Sequence, residues 1–156
     1  MTDAPAPRID ITPTWARLND GLIRLVDYIP DDQINWSPKP ELWNFRGILL
    51  HIASARDNWL SRTVQDGVNA PDVWRTVQTK AEIQGAFRRT WDRLEAFLAD
   101  RGKLDEEYND DDGDWHRVVT GHWIAFHLLE HDVHHRADIL HYLALLGIET
   151  PDVGTP

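Results

Sequence analysis

The sequence predicts an all-α fold, a four-helix bundle. Four stretches carry apolar residues at helical spacing, breaks containing proline or glycine separate them, and no segment alternates with the period of two that a strand requires. A chain of 156 residues is about the size of one ordinary domain and can bury a core without staples. Residues 12–150 are therefore read as a single bundle, with 1–11, which hold Pro5 and Pro7, as a loose N-terminal arm and 151–156 as a tail.

Thr12-Pro13 reads as an N-cap followed by proline in the first turn, and Trp15, Leu18, Leu22, Leu25 and Ile29 continue at helical spacing until Pro30 ends the first helix. Residues 31–43, with Pro38 and Pro40, exclude regular helix. Asn44 caps a second helix through Ile48, Ile52, Ala55 and Trp59 to about Asp66, near Gly67. The connection 67–78 contains Pro71 and Trp74 and is long enough to cross one end of a bundle. Thr79 to Glu82 has the capping-box pattern, and Ile83, Phe87, Trp91, Leu94 and Leu98 carry the third helix to near Gly102. The acidic stretch 105–114 is not an EF-hand, because a loop centred on Gly113 would place Tyr108 and Val119 at its first and last ligand positions; a solvated acidic loop is expected.

The fourth helix runs from a Thr120 N-cap to Gly147, with Pro151 beyond. At about 100° per residue, Ile124, Leu128, Ile139, Tyr142 and Leu146 share one face, while Phe126, Leu129, Val133, Leu140 and Leu143 form a second apolar stripe. A helix apolar on two faces needs two partners. Either it is central in the monomer or its second stripe is the face of a homodimer.

Composition narrows the function. The absence of cysteine excludes disulfides, thiolate-bound zinc, iron–sulfur clusters and a cysteine nucleophile, which leaves imidazole and carboxylate as strong metal ligands. With 16 basic against 26 acidic residues the net charge is -10, a balance that repels nucleic-acid backbones. No apolar run reaches the roughly 20 residues of a membrane span and no secretory leader is recognisable, so a cytoplasmic protein without nucleic-acid or membrane partners is expected.

Five of the eight histidines fall between positions 127 and 141. His131 and His135, four apart on the Ile124/Leu128/Ile139 face, point inward at neighbouring turns and can share one ion. Two adjacent buried imidazoles would otherwise each need separate hydrogen bonds. His51, in the apolar run Ile48 to Ala53, sits on the buried side of its helix and can look across the core toward them. His127, one turn before His131, competes for ligand status, whereas His134 and His141 project toward the flank. His116 and His122, near the start of the fourth helix, receive no role. Asp138 can hold a ligand ring or bind the ion itself. Asn58 and Arg62 follow His51 on a similar face and are candidates for the pocket lining, with Arg62 meeting a substrate anion; an exposed helix end is the competing reading for Arg62.

Leu49-Leu50-His51-Ile52-Ala53 with Asn58-Trp59-Leu60, and His131-Asp132-Val133-His134-His135-Arg136 leading into Ile139-Leu140-His141-Tyr142-Leu143, resemble the DinB/YfiT-like superfamily over most of the chain. The resemblance implies a four-helix bundle, often dimeric, with a divalent ion on three histidines that map onto His51, His131 and His135. It also implies kinship with transferases that use bacillithiol or mycothiol and with a mycothiol-dependent isomerase, although many members have no assigned reaction. Ala137-Asp138 stands where Gly-Gln is frequent, which places the difference beside the ligands rather than among them.

The expected function is that of a metal-dependent transferase acting on a small-molecule substrate through a low-molecular-weight thiol. Zinc or nickel is the expected ion, with iron and manganese as other imidazole-accepting choices. Two rival readings stand beside it: a hydrolase using metal-bound hydroxide with Asp138 as base, and a non-catalytic stress-related protein in which a metal shell closed by His127 or Asp138 is only a staple.

Overall fold

The computed structural model describes residues 9–112 and 115–150, so the expected tail 151–156 and most of the N-terminal arm lie outside the described residues. Four long helices dominate: α1 (Thr12–Tyr28), α2 (Phe45–Asn58), α4 (Lys80–Ala99) and α6 (Gly121–Leu145). Two short helices, α3 (Val73–Thr76) and α5 (Arg101–Asp105), and an antiparallel hairpin of β1 (Glu107–Asp112) and β2 (Trp115–Thr120) fill the connections. Both α1 and α2 pack against α4 and α6. The chain between α2 and α4 thus joins packed neighbours. Mostly helical, the chain has the all-α bundle architecture that its apolar spacing predicts.

The caps follow the expected chemistry with one shift. Asn44 Oδ1 accepts from Gly47 N at 2.7 Å, Thr79 and Glu82 form the reciprocal capping box, and Thr120 Oγ1 accepts from Trp123 N. At α1 the cap moves back one residue: Ile11 is the N-cap, Thr12 is already helical, and Asp10 accepts from Thr12 N at 2.9 Å. The second helix does not stay α to Asp66. It widens into a π-helical segment over Trp59–Thr63 and ends where Gln65 (φ 54) and Gly67 (φ 84) turn left-handed.

The region read as an acidic loop is half of the hairpin, and His116 lies on β2, which leads directly into α6. The reason is a buried charge. Tyr108 pairs with Val119 and Asp110 with Arg117, so Tyr108 and Asp110 share the inward face; Arg117 Nε donates to Asp110 Oδ2 at 2.7 Å. A period of two is present, but one of its core-facing positions is an aspartate. At the end of the hairpin Gly121 N donates to Glu106 O, and a Cβ on Gly121 would lie 2.1 Å from Lys103 O, so only glycine permits α6 to start against α5.

The core contains a polar junction to which each long helix contributes. Arg56 of α2 donates to Asp132 of α6 through Nη2 (2.6 Å) and Nε (3.1 Å), and its Nη1 reaches Asn19 of α1 (2.8 Å) and Thr90 of α4 (3.3 Å). Trp15 Nε1 of α1 donates to Asp132 Oδ2 at 2.7 Å. All five side chains are buried. On α6, Ile124, Leu128, Ile139, Tyr142 and Leu143 join the core, whereas Phe126 is 65% and Val133 43% exposed. Leu143 thus belongs to the inner face, and the second stripe is only partly covered.

Because Asp132 has no water to fall back on, Arg56→Met should destabilise the fold by about 3–5 kcal/mol in urea unfolding, the usual consequence of leaving a buried charge unpaired. The double replacement Arg56→Met/Asp132→Leu should recover part of that loss.

Candidate metal centre

Three imidazoles converge where α2 and α6 cross. His51 Nε2 and His131 Nε2 lie 2.9 Å apart, and the ring centroids of His51 and His135 are separated by 4.9 Å and those of His131 and His135 by 4.6 Å. One ligand atom from each of the three falls within 4.8 Å of the others. Nitrogens that share an ion at bond lengths of about 2.0–2.1 Å must approach each other this closely.

The donor chemistry fits a divalent ion. Burial, reinforced by His135 and His51, pushes His131 down to about 3, and burial followed by His135 lowers His51. At neutral pH both rings are therefore in the unprotonated form that binds metal. Only one hydrogen can occupy the 2.9 Å gap between the two Nε2 atoms, and His131 Nδ1 is buried without a hydrogen-bond partner among the described residues. Two side chains so poorly served by hydrogen bonds are stabilised far better by one cation.

Asp138 completes the orientation. Its Oδ2 accepts from His135 Nδ1 at 3.0 Å, which fixes the hydrogen on Nδ1 and leaves Nε2 as the donor atom toward the cluster. Of the two roles open to Asp138 from the sequence, this geometry is the ring-holding one. His134, exposed, stands 3.9 Å from the same oxygen and forms with His135 and Asp138 a more exposed second grouping.

Aromatic rings flank the histidines on both sides. Trp43, 48% exposed, meets His51 edge-on at 4.4 Å and lies parallel to His135 at 6.5 Å, with Trp74 packed against it at 5.9 Å. Trp74 is held in place from α2, where Arg46 Nη2 donates to the carbonyls of Trp74 (3.1 Å) and Val77 (2.6 Å). Toward the N-terminus of α6, His127 stacks on Trp123 at 4.9 Å and meets the edge of Trp59 at 5.2 Å, while the Arg117 guanidinium covers Trp123 at 4.3 Å. His127 does not join the trio of ligand atoms.

The other candidates sit elsewhere. Arg62, largely exposed, extends to within 3.7 Å of Asp110 on the hairpin, and Asn58 is exposed at the end of α2. His116 and His122 pair with Asp111 and Asp105. The sequence reading passed over Arg56 and Asp132, although each falls four residues after a core leucine or isoleucine, Ile52 and Leu128, and so occupies an inward position. Charged residues at such positions on two helices are the available signal for a buried pair.

Fold and site together define a four-helix bundle with an internal histidine cluster that could hold a metal ion. The chain belongs to the DinB family, whose model matches residues 9–156. Among solved structures it is similar to a DinB-like protein from Bacillus subtilis (TM-score 0.73, 19% identity, 93% of this chain and 96% of that chain covered). A DinB-like protein from Bacillus cereus is similar to the same degree (TM-score 0.70, 19% identity, 90% and 93% covered). At these identities the likeness is one of fold. No curated protein matches the chain.

His51→Ala, His131→Ala and His135→Ala should each cut the metal content of protein purified without added metal, read by elemental analysis. His134→Ala should leave it unchanged.

Proposed function

We propose that the protein is a metal-dependent transferase acting on a small molecule through a low-molecular-weight thiol, which it must take from solution because it has no cysteine. The observation that carries this reading is the convergence of three imidazoles from two helices, with no fourth ligand group among the described residues joining them. A divalent ion on such neutral ligands keeps its positive charge and lowers the pKa of a thiol or water that enters its open position. His51, His131 and His135 would hold the ion, zinc or nickel before iron or manganese, and Asp138 keeps the His135 ring turned toward it. Trp43 and Trp74 line the approach and restrict water around the reacting groups.

The hydrolase reading needs a carboxylate free to take a proton from water. Asp138 spends Oδ2 on His135, which weighs against that role. The staple reading needs a fourth protein ligand, and neither His127 nor Asp138 stands with the trio. A homodimer formed through the exposed Phe126 and Val133 of α6 is part of the proposal, as is a cytoplasmic location; no described helix is long and apolar enough to cross a membrane.

Metal-loaded protein should accelerate the reaction of a common small thiol with at least one of a panel of electrophiles, and His131→Ala should abolish the acceleration. A flat response to every thiol sinks the reading. Asp138→Asn should weaken metal binding by about 10–100-fold, as loss of such an orienting carboxylate usually does; as a hydrolase base it would instead abolish ester cleavage with the metal retained.

A further inference from the structure

We infer that His127 hydrogen-bonds the small nucleophile that occupies the open position beside the three-histidine centre, an inference that rests on the metal reading above. His127 lies one turn before His131 on α6, with 6.3 Å between the two ring centroids, close to the centre yet outside the ligand trio. Its ring is clamped. Trp123 stacks against it with an interplanar angle of 9°, and Trp59 closes from the side at 65°, so two tryptophans from different elements set its orientation.

What the clamp holds is an imidazole with its polar capacity unspent. Neither ring nitrogen makes a hydrogen bond among the described residues, and the ring is only partly buried. Packing alone does not account for this choice of residue. A half-buried imidazole between two tryptophans gives up hydration that a phenylalanine or leucine would not miss. The α2 position between His51 and Trp59, Ala55, carries only a methyl group. An imidazole in its neutral form offers one donor and one acceptor. It can therefore serve a nucleophile that arrives with its hydrogen or one that arrives without it.

The test uses full-length protein loaded with cobalt and titrated with azide, followed by visible absorption. His127→Phe keeps the stacking surface and removes both nitrogens; His127→Gln restores a donor and an acceptor. Cobalt stoichiometry should match wild type in both. Azide affinity should fall about tenfold in His127→Phe, the worth of one hydrogen bond, and return most of the way in His127→Gln. As a readout independent of any variant's folding, the ring nitrogen NMR shifts of His127 in wild-type zinc protein should move on azide addition while those of His134 stay fixed. Unchanged azide affinity in His127→Phe, or unmoved His127 shifts, overturns the inference. So does loss of cobalt from both folded variants, which would make His127 a ligand. Wild-type protein that takes up no cobalt overturns this inference and the metal reading together. Protein that binds azide but accelerates no thiol reaction refutes the thiol transferase alone and leaves His127 to be judged by the azide ratio.

Discussion

The contact between Arg56 and Asp132 is the constraint on which the rest of the molecule depends. A buried ion pair contributes little net stability, because desolvating both charges consumes most of what their attraction returns. Its effect is on alignment. Asp132 directly follows His131, and Arg56 lies five residues after His51. Sliding α2 along α6 by a single turn would break the two hydrogen bonds to Asp132 Oδ2, at 2.6 and 3.1 Å, and leave two charges stranded in the core. Trp15, Asn19 and Thr90 add hydrogen bonds to the pair and bring α1 and α4 into the same alignment. The histidines are neighbours of this clamp, so the separation of their nitrogens is set by the register of the bundle more than by their own contacts.

Beside the clamp the bundle departs from good packing. Apolar side chains could fill the junction of α2 and α6, yet three imidazoles stand there with one nitrogen orphaned and two facing each other at 2.9 Å. Such an arrangement loses hydrogen bonds to water without regaining them inside the protein. Departures of this kind from the rules that stabilise a core concentrate at functional sites. The same burial that makes the arrangement unfavourable in isolation keeps His131 unprotonated, which is the state a cation requires. The electrostatic penalty and the capacity to hold an ion thus have one origin.

The bundle was legible in the sequence because its information is local: an Asn44 cap, the Thr79/Glu82 box and leucine–isoleucine spacing each act within a few residues. His131 and His135 were legible for the same reason, since a four-residue interval on a helix fixes relative position. The hairpin was not, because Asp110 occupies a core-facing position and its burial makes sense only beside Arg117, seven residues on. The π-helical turn at Trp59–Thr63 leaves no periodic signature. Arg56 and Asp132 were invisible for a related reason: each contradicts its own apolar stripe until paired with a residue 76 positions away.

The ring clusters follow from how two helices run past each other. On α6, Trp123, His127, His131 and His135 recur every fourth residue; His51 and Ala55 of α2 and Trp59 at the start of its π-helical continuation do the same. His51 meets His131 and His135, whereas Trp59 meets Trp123 and His127, so the two series run antiparallel. A four-residue step advances about 400° at 3.6 residues per turn, so each series drifts about 40° per step around its helix. Over the 12 residues from Trp123 to His135 that drift amounts to about a third of a turn, which makes the series on α6 a shallow spiral rather than a straight seam. The two ends of the spiral meet different elements, Arg117 of the hairpin at Trp123 and Trp43 of the α1–α2 connection at His135. His131, inside the spiral and next to the clamp, has its pKa pushed down to about 3, chiefly by burial. A four-residue interval on one helix thus places His131 between rings that meet other elements on either side.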